Sequence, residues 1–191
     1  MKRREVLLAL GGAAVFADPL LAAGRALHSR LSGGAALKVL DPHQNEMVVA
    51  IAEMIIPATD TPGATAAKVN EFVDLALGEW MDDNERAKFL QGIGELDDRS
   101  RKRFAKDFTG CAPDEQTEML QLVDAEVAAL RDADKQGTHR DPTPSQGFFQ
   151  MLKRLTLLGY YTSEIGDAEE LHNPIIPGRY DGCVLLDQRG K

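Results

Sequence analysis

Apolar positions return every third or fourth residue along most of the chain, and proline, glycine or an acidic pair cuts each run off. Met47, Val48, Ile51, Ala52, Met54 and Ile55 share one helical face. Asp41-Pro42 opens that run as an N-cap followed by proline at the first helical position, and Pro57 stops it. Val69, Phe72, Val73, Leu75, Ala76 and Leu77 form a second stripe ending at Trp80 and Met81. Asp82 or Asp83 caps a third helix bearing Ala87, Phe89, Leu90, Ile93 and Leu96. A basic segment at 99–106 sets Phe104 and Phe108 four apart, the inward face of a further turn or two, and Gly110 closes it. Pro113 opens the longest run, 113–135, with Met119, Leu120, Leu122, Val123, Val127 and Leu130 turned to the core. Thr143 or Ser145 caps a last long helix through FFQMLKRLTLLGYYTSEIG. From Leu171 onward, Pro and Gly breaks predict a coil tail with a short extended piece at 183–186. Period-two alternation is nearly absent. The pattern therefore predicts an all-α, single-domain helical bundle of about five to six helices over residues 41–191.

The N-terminal side follows a different pattern. Residues 25–40 are small, polar and glycine-containing, and read as a linker. Residues 1–24 join a basic start (Lys2, Arg3, Arg4) to an apolar run at 6–17 and then to small residues. That is the three-part grammar of an export signal, and the run is too short to span a bilayer comfortably. Arg3-Arg4 directly before it resembles the twin-arginine signal, an address read by a receptor; an ordinary secretory leader is the alternative. Leu21-Ala22-Ala23 and Ala22-Ala23-Gly24 both roughly satisfy the small-residue rule for leader cleavage.

Charge and cysteines narrow the classes. The 191-residue chain has a formal charge of −8. Removing residues 1–24 takes away three positive and two negative charges, which leaves −9. Such acidity argues against nucleic acid or an anionic membrane surface as partner. The two cysteines, Cys111 and Cys183, belong to a chain sent to an oxidising compartment. Three arrangements are open: a bond to each other, a bond to another chain, or two separate buried thiols. No CxxC or CxxCH occurs, so the sequence holds no zinc ribbon and no covalent haem attachment.

Candidate chemistry is sparse. His28, His43, His139 and His172 are not spaced with other ligands in a metal pattern. His43 reads as a helix-surface residue and His172 as a turn residue. Asp82-Asp83 and Asp97-Asp98 point about 100° apart on a helix, which suits caps and solvated surface better than paired catalysis. Nucleotide, dinucleotide and hydrolase signatures are absent from the sequence. The corner IIPATDTPGA at 55–64 has two readings. In one, Asp60 works with His172 or His139 as an acid/base pair. In the other, which the residue types favour, Pro57 stops a helix, Asp60 and Thr61 bond local backbone, and Pro62-Gly63 form the centre of a type II turn. Tyr160-Tyr161 is a second oddity, because adjacent aromatics on a helix cannot both face one core. Either one projects outward as a binding surface or the tail covers the helix on a second side.

The corner at 55–64, the segment FFQMLKRLTLLGYYTSEIG at 148–166 and PGRYDGC at 177–183, behind a leader with Arg3-Arg4, resemble the gluconate 2-dehydrogenase subunit 3 family. The order and spacing of these segments run from the leader to Cys183. The resemblance implies a non-catalytic small subunit of a periplasmic, FAD-dependent sugar or sugar-acid dehydrogenase. The partners it implies are a large FAD-containing subunit of the glucose-methanol-choline type, a cytochrome c subunit and the twin-arginine translocase. FAD and haem c are expected in those partner subunits, and no cofactor, metal or catalytic residue in this chain. The small subunit is expected to stabilise the flavoprotein and escort it through export, with any membrane association made through partners. Pro57, Thr61, Pro62, Gly63, Tyr160, Tyr161, Pro177, Gly178 and Tyr180 are the expected family-motif and partner-interface positions. Cys183 suits an inter-subunit bond or a bond to Cys111. An independent exported binding or scaffold protein and a small unrecognised enzyme are the competing readings.

Overall fold

The computed structural model describes residues 22–24 and 37–172. Arg3, Arg4, His28, Pro177, Gly178, Tyr180, Cys183 and the extended piece expected at 183–186 lie outside them. Five helices make the body: α1 (Pro42–Ile55), α2 (Val69–Glu79), α3 (Asp83–Phe104), α4 (Pro113–Lys135) and α5 (Pro144–Tyr161). A short π-helix, Gly166–Glu170, follows α5. No strand occurs among the described residues, and the all-α expectation holds. α5 packs against all four other helices, most extensively against α3, and so forms the centre of the bundle.

Local chemistry sets the helix starts. Asp41 accepts the Gln44 N–H at 2.8 Å while the Gln44 side chain accepts the Asp41 N–H at 3.1 Å, a capping box that satisfies two orphan donors. Asp82 and Glu85 repeat the device at α3. At α5, the Gln146 carboxamide accepts the Thr143 N–H at 2.9 Å. Pro113 and Pro144 occupy first-turn positions where a missing N–H costs nothing. α5 ends at Tyr161, short of the Gly166 that its apolar run suggested.

The basic segment at 99–106 is not a separate turn. α3 continues through it to Phe104, with Asp83 and Glu85 at its N-terminal end and Arg101, Lys102 and Arg103 at its C-terminal end, as the helix dipole favours. Ala105 ends the helix in the left-handed region at φ 59°. Phe104 and Phe108 therefore do not share one helical face: Phe108 lies beyond the stop, fully buried, and Phe104 only partly. Asp97 causes this. It is buried rather than solvated, accepts the Phe108 N–H at 2.7 Å, pairs with Arg101 one turn on, and lies 3.2 Å from Nε2 of His43 on α1. The linker reading also stops early. Asp74, buried in the apolar stripe of α2, accepts the N–H groups of Lys38, Val39 and Leu40 at 2.8, 2.9 and 2.8 Å.

The core joins Met47, Val48 and Ile51 of α1, Phe72, Val73 and Leu77 of α2, Phe89, Ile93 and Leu96 of α3, Met119 and Val123 of α4, and Phe148 and Leu152 of α5. At the α3–α5 crossing, a Cβ on Gly92 would lie 2.3 Å from the Phe148 Cβ, so only glycine permits this approach. Phe89 and Phe148 meet there edge to face, their centroids 4.8 Å apart. Leu122, expected in the core, is exposed, because α4 buries only the face carrying Met119, Leu120, Val123 and Val127.

Candidate functional site

The α1–α2 corner is shaped by a residue that precedes it. Glu53, in the last turn of α1, accepts the Ala58 N–H at 3.0 Å and the Thr65 N–H at 2.8 Å, tying together the two ends of the loop. The Ala64 N–H donates to the Ile56 carbonyl at 3.0 Å and closes the ring. Burial opposes ionisation of Glu53, but the hydrogen bonds from Thr65 and Ala58 outweigh it and hold its pKa below the ordinary glutamate value of 4.5. Gly63 serves this carboxylate. A Cβ there would lie 2.3 Å from the Glu53 Oε1 and 2.6 Å from the Ala58 nitrogen. Among the described glycines only Gly137 has positive φ, so Pro62-Gly63 is not the centre of a type II turn. Gly63 is required for a close approach, not for a left-handed backbone.

Two further bonds fasten the corner to the end of α5. The Tyr160 hydroxyl donates to the Pro62 carbonyl at 2.7 Å, and the Thr61 hydroxyl donates to the Glu170 carboxylate at 2.8 Å. Between these ties lies an open cleft of about 500 Å³. Ile56, Leu157 and Tyr161 give it an apolar side; Thr59, Asp60, Glu169, Glu170 and His172 give it a polar one. Asp60 accepts the Thr59 hydroxyl at 2.9 Å, and that bond lowers its pKa, so it stays a carboxylate. Among the described residues no lysine or arginine lines the cleft.

The structure thus brings Pro57, Thr61, Tyr160 and Tyr161 to one place, with Pro62 and Gly63 directly behind them. Gly63 and Tyr160 are buried and act by positioning; Pro57 is exposed, and Thr61 and Tyr161 are half-buried. The tyrosine pair divides as adjacency requires: Tyr160 inward, Tyr161 toward the cleft, with rings edge to face at 5.3 Å. Asp60 and His172 both line the cleft, without a hydrogen bond between them among the described residues. His139 lies elsewhere, in the α4–α5 loop, 2.9 Å from Asp134, whose hydrogen bond raises its pKa. Sequence reading missed Glu53 and Glu170. Glu53 leaves one signal, a carboxylate a single turn before a proline-stopped helix; Glu170 leaves none, because Thr61 is 109 positions away.

Among the described residues Cys111 is a buried free thiol, and burial pushes its pKa up. Among the described residues no group of His, Cys, Asp and Glu is placed to hold a metal ion, and no helix is long and apolar enough to cross a membrane.

A protein-family model described as Gluconate 2-dehydrogenase subunit 3 matches residues 42–178, from the start of α1 to beyond the π-helix. No curated protein and no solved structure matches the chain.

Proposed function

The chain belongs to the gluconate 2-dehydrogenase subunit 3 family, and from that premise we propose that it is the non-catalytic small subunit of an exported FAD-dependent sugar or sugar-acid dehydrogenase. It binds and stabilises a large flavoprotein subunit, and its Arg3-Arg4 leader carries the folded pair to the periplasm through the twin-arginine translocase. Electrons from the flavin then pass to a cytochrome c subunit. The single observation that carries the reading is a family match that covers the whole helical body. The cleft at the α1–α2 corner supports a partner-facing role, since Pro57, Thr61 and Tyr161 lie together at its surface.

The test is co-expression of this chain with a large FAD-containing subunit. Arg3-Arg4→Lys-Lys is expected to trap both subunits in the cytoplasm. If the large subunit still reaches the periplasm, escort fails. Turnover of sugars by this chain alone would overturn the non-catalytic role. A small enzyme is the second reading, on the observation that Asp60 and His172 share the cleft; Asp60→Asn would then abolish that turnover.

A further inference from the structure

Gly24 is buried, although Ala22 and Ala23 beside it are exposed, and the three residues are helical. Its seat is the C-terminal end of α5. A Cβ on Gly24 would lie 2.9 Å from the Thr162 Cγ2, 3.2 Å from the Thr162 Oγ1 and 3.3 Å from the Leu158 Cδ1. The Thr162 hydroxyl donates to the Leu158 carbonyl at 2.6 Å, a bond that favours the rotamer aiming its methyl group at Gly24. The seat is close-fitting and suits a residue without a side chain.

Those three residues are also the small-residue window of the leader. Cleavage after Ala23 makes Gly24 the first residue of the product; cleavage after Gly24 makes it the acyl residue. Gly24 flanks the scissile bond in either register. A leader peptidase must hold small residues extended in its cleft while water adds across the peptide bond, giving a carboxylate on the leader side and a free amine on the other. A helical window with Gly24 under Leu158 and Thr162 cannot present that bond. We propose that the folded domain covers its own leader-cleavage window, so that the exported protein keeps its leader until the α5 seat opens.

The inference rests on the export reading above. It matters because a twin-arginine passenger is folded before a peptidase meets it, so the seat forms first. Cleavage then follows the population of the opened state.

The test uses the full chain co-expressed with its partner, with N-terminal masses read from the periplasmic fraction. The expected result is a predominantly intact chain. Gly24→Ala keeps the small residue that a peptidase accepts but crowds Thr162, and should raise the cleaved fraction at least several-fold, with loss of residues 1–23 or 1–24. Leu158→Ala, outside the window, removes one wall and should shift processing the same way. Wild-type protein fully cleaved beside Gly24 in the periplasm overturns the cover while leaving export intact. Wild type and both variants equally intact there also overturn it, because the window is then no substrate at all. A chain that stays cytoplasmic whatever its Arg3-Arg4 state removes the export reading, and this inference with it.

Discussion

Two of the bundle's hydrogen-bonded carboxylate systems, set at different places, are balanced differently. Between α3, α4 and α5, Arg99 donates to Glu126 at 2.9 and 2.6 Å and to the Ser145 hydroxyl at 3.2 Å. Gln146 donates to the same Glu126 at 2.9 Å, and the Ser145 N–H donates to Glu95 at 2.6 Å. A guanidinium sits at the centre. Its hydrogen bond lowers the Glu126 pKa, and the same bond raises that of Arg99. At the α1–α2 corner, Glu53, Asp60 and Glu170 receive only backbone N–H groups and hydroxyls among the described residues. The clamp spends its charge inside the fold. The corner's carboxylates meet no cation among the described residues. Similar residue types thus serve stability in one place and a surface field in the other.

Removing the clamp's cation should have the largest effect. Arg99→Ala leaves Glu126 and Glu95 without their cation, and because the pair is half-exposed the expected loss is about 2 kcal/mol by urea denaturation. Glu53→Ala should cost less, about 1–2 kcal/mol, because it frees two N–H groups that water can reach. If Glu53→Ala costs more than Arg99→Ala, the contrast between the two regions is wrong. Tyr160→Phe removes one bond to the Pro62 carbonyl and should cost about 1 kcal/mol. It should also weaken association with the large subunit more than its stability loss explains, as read by titration of one subunit into the other.

Acid separates the regions further. Glu53 and Glu126 both have folded pKa values below 4.5, so their contribution is fully present above that value and is lost as pH falls through the lowered folded values. In Arg99→Ala the Glu126 share of this acid sensitivity should shrink, since only the Gln146 hydrogen bond still favours its carboxylate, while the Glu53 share remains. Melting curves between neutral and acidic pH measure it. Asp60→Asn is the smallest change: the exposed carboxylate adds little to stability, so the melting curve should hardly move, while the salt dependence of partner binding becomes shallower.

What the sequence made legible was local. Asp41, Asp82, Pro113 and Thr143 mark helix starts because a cap and its target lie within one turn, and the apolar period gives the buried faces. Asp74 and Asp97 were illegible because their partners are distant: Leu40 is 34 positions from Asp74, and His43 is 54 from Asp97. An aspartate inside an apolar stripe, or beside another aspartate, looks solvated until the chain that returns to it is known. The break expected in α3 had the same origin, since a basic run suggests a separate surface turn and only the buried Asp97 shows that the helix continues. At the corner the residues were legible and their roles were not. Gly63 suggested a turn type, whereas the distance to Glu53 gives its reason.

The Asp74 carboxylate has a mechanical consequence. Any pull on the chain from its N-terminal side reaches Lys38, Val39 and Leu40 before it reaches the first turn of α1. Three hydrogen bonds converge there on one buried carboxylate and share the load, so tension is passed to the middle of α2 and not to the end of a helix that could unravel turn by turn. The N-terminal side of the bundle is thereby fastened to α2 as well as to α1.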